Sequence, residues 1–211
     1  MGDKLAVAGI PREKIRICGN FVESSQNTLS TKGDYILYLG RLSQEKGLRT
    51  LLDAMKLVRN VQLIMAGTGP IESDLREYAL ANALTNVEFV GFVQGETKER
   101  WLREAIAMVL PSECYENFPL SVLESFAAGT PVIASRTGGL PEIVDHERSG
   151  LLFTPGDSNE LACCIELLIN NKEKAMEFSG CALESARLRF GPEIHYRELL
   201  SIYTEAYNTK N

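Results

Sequence analysis

The amino-acid sequence predicts an α/β domain built on a doubly wound parallel sheet, with helices on both faces. From residue 35 onwards, short β-rich runs alternate with helical ones, and strands that alternate with helices pair in parallel through crossover connections. Several of the strand-like runs are apolar almost throughout, which is typical of a sheet covered on both faces. The predicted strands are 35–39, 61–66, 87–90, 106–110, 131–134 and 150–153.

The predicted helices occupy 47–58, 71–83, 97–105, 119–128, 158–171, 173–189 and 192 to about 207. Gly191 and Pro192 separate the last two, because both residue types interrupt helices. The residues before position 35 include a strand-like run at 14–18 but are too few to form their own core. We therefore predict a remnant at 1–34 that leads into the domain, a binding domain at 35–190 and a C-terminal helix at 191–211.

Composition restricts the class of protein. The chain has 211 residues, 45% hydrophobic and 24% charged, which is ordinary for one soluble globular domain. We find no run of about 18 uncharged apolar residues that could cross a membrane and no secretory signal at the start. A net charge of −6 argues against a protein that binds nucleic acid through a basic face.

Cysteine usage indicates a reducing compartment. The five cysteines are odd in number and lack C-x-x-C spacing, so neither a disulfide framework nor a zinc site is expected. We expect a cytoplasmic protein, in which Cys163 and Cys164 are small buried residues of a helix. His146 and His195 have no nucleophile or metal ligand at a suitable spacing, so we expect both to be structural. Trp101 is expected to be a packing residue rather than a stacking platform.

Ligands of doubly wound sheets bind at the carboxyl ends of the strands, and the segment 116–124 lies in such a place. Pro119 is predicted to be the first helical residue, which puts Glu116 in the preceding loop and Glu124 in the second helical turn. Ionised carboxylates only accept hydrogen bonds and therefore suit the hydroxyls of ribose and sugar. Alternatively, Glu116 is a solvated loop residue and Glu124 an ordinary surface residue.

The loop after the first predicted strand carries Arg41 and Lys46 at the same edge of the sheet. Cations in this position can neutralise a diphosphate, Arg with a planar fork and Lys with a point charge. The alternative is a solvated basic loop in which Glu45 is paired locally.

One missing motif and one incomplete motif restrict the chemistry. No Asp-x-Asp occurs, so a metal bridging a diphosphate has no obvious ligands, and metal-independent departure of a nucleoside diphosphate is the coherent mechanism. The segment 67–72 begins like a dinucleotide fingerprint but has Glu72 at the third glycine position, which disfavours a nicotinamide enzyme. Thr137, Gly138 and Gly139 are interpreted as a turn before a helix that starts at Pro141, with no ligand assigned.

Taken together, the segments 40–47, 67–70, 90–93 and 111–135 resemble group 1 glycosyltransferases, the retaining family with the two-domain GT-B fold. The resemblance runs from about Pro11 to the C-terminus and implies a Rossmann-like domain, the C-terminal half of that fold. By the resemblance, Glu124 binds the ribose hydroxyls and Glu116 is the catalytic residue beside the donor sugar. Arg41 and Lys46 match the diphosphate-binding pair.

The resemblance also implies main-chain contacts with the donor. The remaining substrate-binding residues are Gly40, Val93 near the base, and Asn117, Phe118, Pro119, Leu120 and Ser121 around the sugar and phosphates. Two departures stand out: Asn117 replaces a glycine that the family usually has, and the segment 19–23 resembles only loosely the Asn-Gly-x-Asp that leads out of the family's hinge.

The expected function is therefore donor binding in a retaining hexosyltransferase that uses a UDP- or GDP-linked sugar, without cofactor or metal. The family's N-terminal domain, which carries the acceptor site, is absent from this chain, so the isolated domain is expected to be inactive. The final helix would cross back to that missing domain, and the full enzyme can contact a membrane surface peripherally. The alternatives are a non-catalytic nucleotide- or carbohydrate-binding module and a GT-B-fold sugar-nucleotide epimerase.

Overall fold

A computed structural model describes residues 2–23 and 32–208 of the chain. Six strands form one parallel sheet in the order β3-β2-β1-β4-β5-β6. From β1 the next strands along the chain extend to one side of the sheet, and from β4 they extend to the other, so the strand order switches between β1 and β4. The strands are β1 Tyr35–Leu39, β2 Gln62–Ala66, β3 Val87–Gly91, β4 Met108–Leu110, β5 Val132–Ser135 and β6 Gly150–Phe153. All six predicted strands and the doubly wound, Rossmann-like class are confirmed.

The crossover helices follow the predicted intervals closely. They are α2 Leu48–Leu57, α3 Glu72–Ala81, α4 Gly95–Glu104, α5 Leu120–Ala127, α6 Leu140–Ile143, α7 Ser158–Asn170, α8 Lys172–Leu188 and α9 Pro192–Asn208, after a first helix α1 Gly2–Val7. Short 3-10 turns occupy Arg12–Lys14 and Gln44–Lys46. The strand-like run at 14–18 does not form a strand: its first residue ends the 3-10 turn, and residues 15–23 have no regular structure.

The sheet is buried on both faces, as its apolar strands predicted. In β1, Ile36 and Tyr38 belong to the core beneath α2 and α7, while Tyr35 and Leu37 belong to the core on the other face, beneath α5. Successive side chains of a strand point to opposite faces, so a strand between two cores must be apolar at every position. This accounts for the near-continuous hydrophobic runs.

Main-chain contacts hold together the loops at the carboxyl edge of the sheet. A Cβ on Gly67 would lie 1.8 Å from the carbonyl oxygen of Gly40, and the backbone φ of Gly67 is +150°. The Gly40 N–H donates to Ala66, and the Gly67 N–H donates to Gly91. The loops after β1, β2 and β3 are thereby held together at a separation that excludes any side chain at position 67.

Lys32 joins the carboxyl ends of α4 and α5. Its Nζ donates to the carbonyl oxygens of Arg103 and Gly129, each at 3.0 Å, and to the hydroxyl of Thr130 at 2.6 Å. Burial lowers the pKa of Lys32 to about 8. The three acceptors supply what a buried ammonium requires, and they fix the two helices that carry the site relative to each other.

The segment 15–23 and α9 lie together outside the sheet. Val22 donates its N–H to Phe190, and the His195 ring nitrogen Nδ1 lies 2.8 Å from the Gly19 carbonyl oxygen. None of the residues of α9 is buried, and Tyr203 and Tyr207 are among its exposed aromatics.

The structure corrects one prediction about the cysteines. All five are free, but Cys163 is exposed rather than buried and Cys164 is half-buried, because α7 turns the first of the pair towards solvent.

Trp101 packs edge-on against the Tyr35 ring, and its carbonyl accepts a hydrogen bond from the Tyr35 hydroxyl, consistent with a packing role. In the described ranges we find no helix with the length and apolarity needed to span a bilayer.

Candidate functional site

A cleft of about 630 Å³ opens at the carboxyl edge of the sheet, beside the point where the strand order reverses. Loops from three strands and the helices α4 and α5 form its walls. Five of the predicted site residues line this cleft: Gly40, Arg41, Val93, Ser121 and Glu124. The other lining residues are Leu39, Ala66, Gly67, Thr68, Gly69, Pro70, Phe92, Gln94 and Lys98.

Glu124 faces the cleft from the second turn of α5, where the sequence placed it. Its Oε1 accepts a hydrogen bond from Lys98 Nζ at 2.7 Å, and the two side chains are about one-third exposed. Lys98 was not predicted as a site residue. It lies near the start of α4 without a recognisable motif, and only the packing of α4 beside α5 brings it to the carboxylate.

Neither Glu116 nor Lys46 lines this cleft, and the Glu116 side chain is only 12% exposed. Its Oε1 accepts hydrogen bonds from Lys46 Nζ at 2.5 Å and from the Ser112 hydroxyl at 2.6 Å. Lys46 ends the 3-10 turn after β1, while Glu116 follows β4, the neighbouring strand. Two residues 70 positions apart thus form an ion pair, because the switch in strand order places β1 beside β4.

Glycine and main-chain contacts hold the Lys46 loop against the loop after β4. Gly47 has a φ of +64°, and a Cβ there would lie 2.0 Å from the Pro111 carbonyl oxygen. The Glu113 N–H donates to the Glu45 carbonyl at 2.9 Å. The separation of Lys46 from Glu116 is therefore a property of the main chain as well as of the two side chains.

The local pairing of Glu45 that the alternative interpretation expects is present, with Ser43 of the same loop as the partner. Glu45 accepts a hydrogen bond from the Ser43 hydroxyl at 2.6 Å, and this bond is the main cause of its lowered pKa. Lys46 forms its ion pair with Glu116. Arg41 is exposed at the cleft, and its carbonyl accepts a hydrogen bond from the buried hydroxyl of Tyr38.

Gly138 and Gly139 pack against the main chain of Glu116. The Gly139 N–H donates to the Glu116 carbonyl at 2.6 Å. Gly138 has a φ of +60°, and a Cβ there would lie 2.2 Å from the Glu116 carbonyl oxygen. The turn predicted at these residues is confirmed, and the structure adds that it supports the Glu116 loop.

Residues 117–120, which were predicted to bind the donor, lie outside the lining of the cleft. The Phe118 ring packs edge-on against Phe190, and a Cβ on Gly19 would lie 2.7 Å from that ring. The Asn20 amide donates to the Phe118 carbonyl at 2.9 Å. Asn117 and Leu120 are exposed, and none of the residues 117–120 lines the cleft.

The prediction that Pro119 is the first helical residue is wrong by one position. Its ψ of 122° is extended, so Pro119 is the N-cap and α5 begins at Leu120. The Pro119 carbonyl accepts the N–H of Val122, the first bond of the helix. The consequence for Glu124 is small, because it still lies in the second turn.

Cys114 lies beside the site but lacks the features of a nucleophile. Burial is the main cause that raises the pKa of its thiol, and the charge of Glu116 adds to it. A raised pKa keeps the thiol protonated at neutral pH. Within the two described ranges, we find no three His, Cys, Asp or Glu side chains grouped so that they could hold a metal ion.

Comparison with known proteins identifies relatives of this chain. The family "Glycosyl transferases group 1" matches residues 33–171. The amylovoran biosynthesis glycosyltransferase AmsK of Erwinia amylovora is 28% identical over 214 residues, covering 94% of this chain and 53% of the relative.

Solved structures share the fold. HepE of Anabaena in complex with UDP-glucose superposes with a TM-score of 0.74 at 26% identity, over 81% of this chain and 49% of that one. A variant of S. aureus TarM in complex with UDP has a TM-score of 0.84 at 22% identity, over 95% of this chain and 41% of that one. The chain thus spans about half of the length of these proteins, or less.

We predict that Gly138→Ala costs about 1–3 kcal/mol more stability than Gly156→Ala. Both glycines have a positive φ, so both substitutions introduce the same kind of backbone strain. Only at Gly138 does the new Cβ meet the Glu116 main chain, whereas nothing lies within 4 Å of a Cβ at Gly156. Urea unfolding of the two variants measures the difference, and equal losses would contradict a supporting role for Gly138.

Proposed function

Because this chain belongs to the group 1 glycosyltransferases, we propose that it is the donor-binding half of a retaining transferase that moves a hexose from a UDP- or GDP-linked sugar to an acceptor. One observation supports the proposal above the others. Two carboxylates bracket the start of α5 at the carboxyl edge of the sheet, and each accepts a hydrogen bond from a lysine of another loop or helix; Glu124 and Lys98 line the cleft, and Glu116 and Lys46 lie outside its lining. Such a site offers both acceptors for hydroxyls and cations for phosphates.

The nucleoside would occupy the side of the cleft that Glu124 and Lys98 form. Ribose hydroxyls donate hydrogen bonds, and Glu124 is an acceptor that faces the cleft and is one-third exposed. The base would lie between the loop 67–70 and the segment 92–94, where Val93 is half-buried and lines the cleft. Main-chain groups of these loops would make the base contacts.

The diphosphate would lie between Arg41 and Lys46. Arg41 is exposed in the wall of the cleft, so its guanidinium is available for a planar, two-pronged contact with phosphate oxygens. Lys46 has three N–H donors and can bind a phosphate oxygen while it remains close to Glu116. These two cations stabilise the charge that develops on the departing phosphate, which is the role of preorganised donors in catalysis.

The sugar would lie beside Glu116, in the loop that precedes α5. A carboxylate in this position accepts hydrogen bonds from sugar hydroxyls and favours positive charge on the reacting carbon as the diphosphate leaves. The nearby N–H groups at the start of α5 add a partial positive charge for phosphate or sugar oxygens. Reaction through these groups needs no metal ion, and we propose a metal-independent transfer.

Transfer to an acceptor would require a second domain. The chain spans about half of its relatives' length, and the segment 15–23 and α9 lie together at one side with apolar side chains exposed, among them Ile17 and Tyr203. We propose that this side leads to an N-terminal domain that carries the acceptor site, and that residues 35–190 alone bind donor without transferring it. The free cysteines favour a cytoplasmic location.

Titration calorimetry tests the proposed function. We expect the chain to bind UDP or GDP and at least one of their hexose derivatives, with unchanged affinity when a chelator is present. Tight binding of NAD, or no binding of any nucleoside diphosphate, would contradict the proposal. A full-length parent that binds donor but neither transfers nor epimerises the sugar would instead favour a binding module.

Glu124→Ala is expected to weaken binding of the nucleoside diphosphate by about 1–3 kcal/mol, the scale of a hydrogen bond to a charged group. An analogue whose ribose lacks both hydroxyls should bind wild type more weakly but should bind the variant no worse than the normal nucleotide does. Glu99→Ala, an exposed substitution on α4, is the matched control. If the variant still distinguishes the two ribose forms, Glu124 is not the ribose ligand.

Arg41→Ala and Lys46→Ala are expected to weaken binding of the nucleoside diphosphate by about 1.5–3 kcal/mol each, since both donate charge-assisted hydrogen bonds. Binding of the free nucleoside should change far less. Lys172→Ala removes one exposed charge at the start of α8 and serves as the control for net charge. Equal losses for nucleoside and diphosphate would contradict a phosphate role for the two cations.

A further inference from the structure

The hydroxyl of Ser112 is a buried polar group that faces the carboxylate of Glu116. Ser112 is 0% exposed, and its Oγ donates to Glu116 Oε1 at 2.6 Å. Lys46 donates to this same oxygen at 2.5 Å. Glu116 is thus held by one charged donor and one neutral donor, which differ in how firmly each is fixed.

Ser112 is fixed by the sheet itself. It follows β4 by two positions, and its carbonyl accepts a hydrogen bond from the hydroxyl of Ser135, the last residue of β5. Ser135 is also 0% exposed. The hydroxyl of Ser112 therefore sits on a one-carbon stem whose main chain is tied to the neighbouring strand, and it has little freedom to move.

Lys46 is fixed much less firmly. Its ammonium lies at the end of a four-carbon stem, its side chain is 23% exposed, and it ends a short 3-10 turn. In the function proposed above, the diphosphate of the donor attracts this ammonium. A contact that the ligand competes for cannot by itself keep the carboxylate in one place.

We propose that Ser112 is a positioning residue, whose buried hydroxyl keeps the Glu116 carboxylate directed at the donor sugar while Lys46 binds the diphosphate. This inference rests on the proposed function and extends it to a residue for which no role was predicted. Ser112 touches neither sugar nor phosphate in this arrangement and acts only through Glu116. Its loss should therefore affect the sugar and leave the nucleotide alone.

The test compares UDP with UDP-glucose, and GDP with GDP-mannose, on the whole chain by calorimetry. The informative quantity is the sugar increment, the ratio of the affinities of the nucleotide sugar and of its nucleoside diphosphate. Ser112→Ala is expected to reduce this increment about 10-fold, the scale of a lost hydrogen bond to a charged group, with affinity for the nucleoside diphosphate unchanged. Equal loss for both ligands, or no loss for either, would overturn the proposal.

Ser125→Ala is the matched control. Ser125 is also 0% exposed, and its hydroxyl also donates one hydrogen bond, at 2.9 Å to the Thr130 carbonyl, but it does not contact Glu116. It should leave the sugar increment unchanged. In a Glu116→Ala background, Ser112→Ala should cost no further increment, because a residue that acts through Glu116 has nothing left to position; a further loss would argue for a merely structural role.

Two additional measurements keep the outcome decisive. If Ser112→Ala does not fold, Ser112→Cys leaves no cavity and replaces the hydroxyl with a weak donor, and an undiminished sugar increment in that variant would overturn the proposal. A crystal structure of the UDP-bound Ser112→Ala variant should show the Glu116 carboxylate displaced, because the diphosphate then competes for Lys46; an unmoved carboxylate would count against Ser112. A wild-type chain that binds no nucleoside diphosphate would refute the proposed function, whereas normal binding with an unchanged sugar increment in Ser112→Ala would refute only the role of Ser112.

Discussion

The close approach of main-chain segments at the carboxyl edge of the sheet is the constraint on which the site depends. Gly47 lies against Pro111, and Gly138 lies against Glu116, each at a distance that excludes a Cβ. Helix starts and loops from strands far apart in sequence are brought within hydrogen-bond range by these contacts. The ion pair of Lys46 and Glu116 is one result, since neither loop alone determines the position of the other.

Electrostatics in the cleft follow from this geometry. The chain as a whole is acidic, with a net charge of −6, yet Lys98 lies within 3 Å of the cleft-lining Glu124, and Lys46 lies within 3 Å of Glu116 at the same edge of the sheet. A pair of opposite charges that is partly shielded from water interacts more strongly than an exposed pair. The free protein therefore keeps acceptors and cations arranged in advance, which lowers the cost of ordering them around a ligand that carries both hydroxyls and phosphates.

The supporting residues show how the fold maintains this arrangement. Ser112 and Ser135 link the ends of β4 and β5, and Lys32 links the ends of α4 and α5. On the outer side, Phe118 packs on Phe190, so the loop that carries Glu116 is also in contact with the segments that lead into and out of the domain. A movement of those segments would therefore reach the loop through a packed aromatic pair.

Local sequence patterns predicted the class of fold and five of the residues that line the cleft. The strands are short runs that are apolar almost throughout, while apolar residues of the helices recur every 3.6 positions, and such local patterns predict element type because burial on both faces or on one face imposes them. Arg41 and Glu124 could be placed at the cleft because they follow or flank strands that end there. The run at 14–18 shows the limit, because a β-rich pattern forms a strand only when another strand lies beside it.

The contacts between side chains of the site follow from the tertiary structure. Lys98 carries no local signal, since it is an ordinary helix residue whose partner Glu124 lies 26 positions away. Ser112 is only four positions from Glu116, but the conformation of the loop decides that its hydroxyl meets the carboxylate. The exposure of Cys163 and the N-cap position of Pro119 likewise depend on helix rotation and on backbone angles. Contacts between distant segments depend on strand order and loop packing, and no pattern within a single segment records them.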